Sequence, residues 1–417
     1  MFEATAASIA ASGPTGKTPR AMLSRAFVAQ NSAVGLAYGG FGVSILPLQD
    51  RFDAGRGAVS LGLSLVVLMT GFASPLIATL AHRFGLRNIM LAGALLCSAG
   101  YAALSVAPTL PLALAAYALL LGPGVGLAGT LPSSLLASGW YPHARGRAIG
   151  FTTMPVMLAM TPIAGVALIE HFGLSVFYLA LSGLHLLTLP ALAGIREAPP
   201  ASPADAMPDA HRRVMTAKAI LSHPLFWGVM VGAGLLNAVG IIGTVHMVAI
   251  GIERGLPPGQ AALLASLMGG ASILGAVGVG WLGDKVGGAW ALAFIASGFA
   301  ISWALIATTT GLPLMVPAIL LIGVAGPGVF TSISLLLGHV FGAATMPRAV
   351  GLFSMFSVPF TFCLPPAAGW LHDIAGDYRP VMVAIVVGSL AVAALACLIG
   401  KSEPNRTGHL PDIPPVT

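Results

Sequence analysis

Charge is scarce in this sequence. Only 8% of its 417 residues are Asp, Glu, Lys or Arg, against 57% hydrophobic, where a soluble domain usually carries about 25% charged residues. That balance excludes a water-soluble globular domain and points to a bilayer. Cysteine is scarce as well. Cys97, Cys363 and Cys397 all fall in long apolar stretches without ligand-like spacing, so neither a disulfide framework nor a metal site is expected. A phosphate-cradling glycine loop is also missing, which leaves direct coupling to nucleotide hydrolysis without support. No cofactor is expected.

What is present is apolar length. A membrane-crossing helix takes roughly 20 apolar residues, and such segments recur near 25–48, 57–80, 88–107, 111–136, 146–169, 174–195, 224–250, 260–282, 289–309, 313–338, 348–372 and 380–400. Barrel strands of alternating polarity, the other way to satisfy backbone groups in lipid, are not seen. The expected fold is therefore an all-α integral membrane protein of twelve transmembrane helices.

The net charge of +6 reports topology. With the N-terminus inside, 15 of the 19 Lys and Arg residues fall on the inner side, and only Arg51, Arg56, Arg254 and Arg379 fall outside. That bias sets the orientation, and no clustered basic footprint suggests nucleic acid. Residues 1–24 read as a disordered cytoplasmic tail preceding a retained first helix, not as a cleaved signal. A plasma membrane location is expected (the inner membrane in a bacterium), multi-pass, with both termini cytoplasmic.

The chain is written twice. AHRFG at 81–85 matches GDKVG at 283–287, GPGV at 122–125 recurs at 326–329, RAIGF at 147–151 matches RAVGL at 348–352, and EHFG at 170–173 matches DIAG at 373–376. The offsets are all close to two hundred residues, in one order. Residues 25–195 and 224–400 are thus expected to form two pseudo-symmetric six-helix bundles, joined by a polar, Pro-rich cytoplasmic linker at 196–223 and followed by a tail at 401–417. Repeats of this kind favour a binding site between two bundles that rock to expose it alternately.

Twelve helices in two halves, with A-x-L-A-H-R-x-G-x-R at 78–87 and G-x-L-G-D-K-x-G-G at 280–288, resemble the major facilitator superfamily. GWYPHARGRAIG at 139–150, TVHMVAIGIERGLPPGQAALL at 244–264 and PPAAGWLHDIAGDY at 365–378 resemble its monocarboxylate porter branch. The resemblance covers nearly all of residues 25–400. It implies a secondary active or facilitative transporter that moves a small organic acid or related metabolite by alternating access, with a proton link. Efflux of neutral or apolar compounds is the alternative. The expected partners are a small-molecule substrate, the lipid bilayer and protons, with no nucleic acid, and the protein is expected to be a monomer.

In the superfamily the two loop motifs act as a cytoplasmic latch. Carried onto this chain, the gate comprises His82, Arg83, Arg87, Arg145, Arg147, Asp284, Lys285 and Arg348. Asp284 is expected to face the start of the fifth helix, while His82 replaces the usual acid opposite Pro347 and Arg348. A latch carried mostly by Asp284 follows. A bare topology signal is the competing account for Lys285, Arg83 and Arg87.

No Asp, Glu, Lys or Arg lies near the middle of any span. Buried charges cost at least about 2.5–3.5 kcal/mol on insertion scales and are kept for a purpose, so a sodium site on a central carboxylate is not expected. A proton site would use histidine, the substrate itself, or Glu170 and Asp373 at outer helix ends. His185 is read as packing. His246 is read as a substrate-binding and proton-coupling candidate, its ordinary pKa near 6.5 suiting proton exchange.

Asn31 and Tyr38 share a polar, small stripe of the first helix with Gly35 and Gly42. They join Thr130 and Asn237 as substrate-binding candidates, beside the competing reading of tight helix packing. Asn237 and His246 stand nine residues apart, nearly opposite on a straight helix, so both reach one cavity only if the helix bends at Gly240 or Gly243. Branch members often carry an Arg after the glycine of an S-I-x-G segment, and here that position is Ala276. A cavity without a fixed cation is a poor host for a carboxylate. An enzyme would need clustered ionisable groups at membrane depth, which the sequence does not offer.

Overall fold

The computed structural model describes residues 17–142, 144–198, 215–309, 311–342 and 345–402. Helices dominate, and no strand occurs among the described residues. The membrane-length helices are α1 (17–52), α2 (Arg56–Phe84), α3 (Leu86–Val106), α4 (Leu110–Trp140), α5 (145–172), α6 (174–193), α7 (Pro224–Glu253), α8 (Pro258–Val286), α9 (Gly288–Thr308), α10 (Leu312–Phe341), α11 (Met346–Ala375) and α12 (Arg379–Ser402). Helices α5 and α6 form one apolar stretch, Arg145–Ala193, divided at Gly173, whose φ of 82° suits glycine and no other residue well. The chain therefore turns back there without a loop.

Two boundaries differ from the sequence reading. Helix α1 begins at Lys17, not near residue 25, because Met22 and Leu23 are already buried among apolar neighbours and Arg25 Nη1 donates to the Gly194 carbonyl at 2.5 Å. Of the tail expected over residues 1–24, residues 17–24 are therefore part of α1, and residues 1–16 lie outside the described residues. The linker is also not wholly irregular. A short helix, Ala217–Leu221, forms just before α7, capped by the Thr216 hydroxyl accepting from the Ala219 N–H at 3.3 Å.

The duplication is visible in the backbone. Gly85 (φ 79°) and Gly287 (φ 90°), the last residues of the paired loop motifs, make the same left-handed turn between α2 and α3 and between α8 and α9. Helices α4 and α10 are both irregular near the paired GPGV segments, α4 through a π-helical turn at Tyr117–Leu121 just before the first and α10 through a turn at Gly326–Pro327 within the second. Two arginines add a pair that the motifs do not contain. Arg51, at the end of α1, donates to the Leu104, Ser105 and Ala107 carbonyls at the end of α3. Arg254, just past α7, donates to the Ala307 and Thr309 carbonyls at the end of α9. A cation on the free carbonyls of a helix C-terminus satisfies acceptors that helix geometry leaves unpaired.

Packing follows the halves. One apolar core is built from α7–α12, including Trp303, Phe299 and Phe353. Another centres on α1, α3, α4 and α6 through Phe41, Tyr101, Tyr117 and Tyr178, and reaches across to the start of the second half, including Val245 and Val248 of α7 and Ala261, Ala262 and Ala265 of α8. His185, read as packing, lies within the first half with its ring 5.4 Å from that of Tyr101 and Nδ1 2.9 Å from the Leu181 carbonyl.

Candidate functional site

At the end of the bundle away from the termini, the two halves are tied together. The Asp373 carboxylate of α11 accepts from the backbone N–H groups of Arg56 and Gly57, each at 3.0 Å. These are first-turn amides of α2, which have no helical acceptor and carry the positive end of the helix dipole. Arg56 Nη1 reaches Glu253 Oε2 of α7 at 3.0 Å, and the same oxygen lies 2.9 Å from His372 Nε2. The Tyr378 N–H donates to Glu253 Oε1 at 3.1 Å, and the Arg56 guanidinium lies 5.1 Å from the Tyr378 ring centre. Close backbone approach permits this. A Cβ on Gly369 would meet backbone atoms of Arg56 and Gly57 at 2.7 Å, and one on Gly57 would meet Trp370 at 2.9 Å.

His246 belongs to this tie. It is fully buried, with Nε2 3.0 Å from the Pro365 carbonyl and Nδ1 2.8 Å from the Tyr378 hydroxyl. A carbonyl only accepts, so Nε2 carries the proton and Nδ1 accepts from Tyr378; the partners assign the tautomer. Ser60 Oγ of α2 lies 3.5 Å from Nε2. Tyr378 lies in the turn between α11 and α12, where burial pushes its phenol above the ordinary range and nearby Arg56 opposes that less strongly. It therefore remains a donor.

A second place lies between α1 and α5. Helix α5 is broken at 153–155, before Val156–Ala193 resumes. Resumption leaves the Met157 N–H without a helical acceptor, and Asn31 Oδ1 accepts from it at 3.0 Å while Asn31 Nδ2 donates to the Phe27 carbonyl at 3.2 Å. The α1 backbone widens here into a π-helical turn, Asn31–Gly35, a distortion often found at functional sites. Gln30, Asn31, Val34, Gly35 and Tyr38 of α1, with Thr153, Met154, Pro155 and Leu158 of α5, enclose a cavity of about 110 Å³. Irregular backbone at membrane depth is tolerated where it lines such a cavity.

The structure thus brings Asn31 and Tyr38 into one cavity with Gly35, while Gly42 lies elsewhere, against the Thr244 carbonyl of α7. Asn31 is occupied in bracing α5. Asn237 is exposed and His246 buried, on an α7 that runs unbroken from Pro224 to Glu253, so these two are not brought together. Thr130 is exposed on α4. Thr244 donates to the Gly240 carbonyl at 3.1 Å. Sequence reasoning missed Gln30, Arg56, Glu253, His372 and Tyr378. Gln30 and Asn31 are adjacent amides in an apolar run, a signal that was there to be read; the other four become neighbours only through the fold.

The expected gate residues His82, Arg83, Arg87, Arg145, Arg147, Lys285 and Arg348 are all exposed at the termini end. Arg348 Nη1 donates to the Met215 carbonyl at 2.9 Å, the Lys285 ammonium sits 3.8 Å from the Trp281 ring centre, and the Arg83 guanidinium 5.2 Å from that of Phe84. The side chains of Asp284, Pro347 and Ala276 lie outside what is described, so the Asp284 latch stays an expectation.

Comparison with known proteins agrees with this architecture. The Major Facilitator Superfamily profile matches residues 29–256 and 235–414. Monocarboxylate transporter 3 of Rattus norvegicus is 30% identical over 382 residues, covering 86% of this chain and 76% of that one. Monocarboxylate transporter 13 of Bos taurus is 27% identical over 377 residues, covering 86% and 84%. Among solved structures, a bacterial homologue of the human lysosomal transporter Spinster, inward-facing and unoccupied, superposes with a TM-score of 0.72 at 16% identity over 92% of this chain and 96% of that one. A D-xylose–proton symporter gives 0.67 at 15% over 91% and 97%. At such identities the structures speak for the fold alone. Together with the twelve helices in two halves, the profile match settles the family: the chain belongs to the Major Facilitator Superfamily, as a multi-pass membrane transporter resembling the monocarboxylate transporter branch and not an enzyme.

Proposed function

We propose that the chain moves a small organic acid across the membrane by alternating access, the acid travelling with its proton. The observation that carries this reading is the lining of the α1–α5 cavity: two amides, a phenol and a threonine among apolar groups, with no ionised side chain. A carboxylate anion brought there would give up its hydration without meeting a cation, a penalty of several kcal/mol. The protonated acid is neutral and needs only hydrogen bonds. The relatives named monocarboxylate transporters support the solute class. The volume of about 110 Å³, below the roughly 300–1,000 Å³ typical of drug-sized sites, supports a small solute.

In this account the proton rides on the substrate, and His246 helps hold the far end closed. The far-end tie breaks when that end opens, while the gate residues around Arg145, Asp284 and Arg348 close the other. The protein works as a monomer in the plasma membrane, with both termini cytoplasmic.

A second reading, export of neutral or apolar compounds, draws on a cavity of about 250 Å³ between α7, α11 and α12, lined by Leu235, Val239, Ile242, Leu364, Leu371 and Ile385. Proteoliposomes holding a pH dye separate the two. Protein-dependent internal acidification on adding short-chain acids, above empty liposomes, supports acid transport. No signal from any acid, with uptake of an apolar dye instead, favours export.

A further inference from the structure

His372 stands between two carboxylates, and Arg56 already holds both of them. The imidazole Nε2 lies 2.9 Å from Glu253 Oε2, the same oxygen that Arg56 Nη1 reaches at 3.0 Å. The imidazole Nδ1 lies 3.5 Å from Asp373 Oδ1, the same oxygen that accepts from the Arg56 backbone N–H at 3.0 Å. A carboxylate only accepts, so Nε2 carries the proton of the neutral ring and donates to Glu253. Nδ1 is then a lone pair beside an anionic oxygen, buried and with no hydrogen-bond partner among the described residues. A second proton turns this idle nitrogen into a donor to Asp373.

The other half of the molecule competes with that proton. Arg56 brings a full positive charge, and the free amides at the start of α2 bring the positive end of a helix dipole, onto the two acids that an imidazolium needs. Both come from α2, whereas Glu253 lies on α7 and His372 and Asp373 on α11. Opening the far end takes α2 away and leaves the acid pair to His372. Neighbouring groups do not take over this role. His246 of α7 has both nitrogens engaged, one of them by the Tyr378 hydroxyl. Arg254 rests on the α9 carbonyls, and Asp377 accepts from the Arg379 N–H at the start of α12 at 3.0 Å.

We propose that His372 is a proton-binding site that switches the far end: Arg56 holds Glu253 and Asp373 while that end is closed, and the His372 imidazolium holds them while it is open. The proton comes from water on the far side as the end opens, binds Nδ1, and returns to that water as Arg56 closes back. It does not cross the membrane, so the acid still carries the transported proton. Binding and opening are reciprocal, and acidity on the far side therefore favours an open end, ready to load a protonated solute. This goes beyond the proposed function and rests on it only for the alternating motion.

The switch is tested without any solute, by electron paramagnetic resonance distances on the full chain in lipid nanodiscs. Spin labels go on Leu112→Cys and Leu314→Cys, exposed near the far-end starts of α4 and α10, with Cys97, Cys363 and Cys397 replaced by Ala. The expected result is that the ratio of wide to narrow distances rises about tenfold from pH 8 to pH 5, the range in which histidine ordinarily changes charge. Retention volume and melting temperature report whether variants fold. His372→Gln, which keeps a donor for Glu253 and takes no charge, should stay narrow throughout. Arg56→Gln, which removes the competing cation, should be wide already at pH 8 and respond far less to acid. A response that survives in folded His372→Gln, a far end that narrows as pH falls, or an Arg56→Gln variant with the wild-type response overturns the assignment. Two distances that interconvert without regard to pH overturn the switch and spare the alternating motion. A single distance in every variant, Arg56→Gln included, overturns both.

Discussion

The Arg56 guanidinium and the Glu253 carboxylate meet at 3.0 Å across the boundary between the two halves. Arg56 belongs to α2 and Glu253 is the last residue of α7, so this contact can exist only while the far ends stay together. Asp373 strengthens the junction by accepting from two free amides at the start of α2. The repeat does not reproduce that arrangement. Glu170 corresponds to Asp373, but the facing helix, α8, begins at Pro258 after Pro257, and proline has no N–H to give. Duplication produced two similar halves; local sequence made the tie one-sided.

Breaking the tie should open the far end. Charge-assisted hydrogen bonds contribute about 1.5–3 kcal/mol when well formed, and partial exposure of Asp373 and Glu253 reduces this. Asp373→Asn and Glu253→Gln are each expected to raise far-end labelling of a cysteine placed at Ala58 by about three- to tenfold. Gly369→Ala, whose Cβ would press on the Arg56 and Gly57 backbone, should act in the same direction. Unchanged labelling in all three would show that this junction does not govern access.

The Tyr378 hydroxyl is the partner of His246 Nδ1. Tyr378→Phe leaves that buried nitrogen unpaired and should cost about 1–3 kcal/mol, read as a lower melting temperature. Because burial raises the phenol pKa, the stability that the phenol contributes is fully present below its ordinary value near 10 and is lost only as pH climbs towards the raised one. The melting difference between wild type and variant should therefore stay constant from about pH 7.5 to 9.5 and shrink above that window. A difference that fades on moving from neutral to mildly alkaline pH would contradict a protonated donor.

Arg51 and Arg254 each close the carbonyl end of a helix in their own half. Replacing either by Met should destabilise the protein by about 1–3 kcal/mol. The double variant should lose the sum within about 0.5 kcal/mol, as sites that share no partner do. A strongly non-additive result would indicate that the halves are coupled through these ends.

Most of the fold was legible because lipid imposes a simple rule: apolar length identifies the spans, the internal repeat identifies the halves, and the recurring Gly85 and Gly287 motifs fall on matching turns. Helix ends were less legible, since burial of Met22 and Leu23 depends on partners far along the chain. The α1 face was read partly. Asn31 and Tyr38 do line a cavity, but spacing could not tell that Asn31 is spent on the Met157 amide. Spacing arguments use the regular α-helical period, and the backbone departs from it at the π-helical turn Asn31–Gly35. Asn237 and His246, taken together as substrate-binding candidates, stand nine residues apart on the continuous α7, one exposed and the other buried. The far-end tie was invisible, because Arg56, Glu253, His372 and Tyr378 approach one another only after two halves pack together.

The claim that the acid travels with its proton is tested most directly by uptake of radiolabelled lactic acid into proteoliposomes whose pH gradient and membrane potential are set independently. The account predicts protein-dependent uptake that follows an inward pH gradient and stays unchanged when an inside-positive or inside-negative potential is imposed with valinomycin and potassium. Uptake that tracks the potential and ignores the pH gradient would mean that the carboxylate crosses as an anion, and would contradict it.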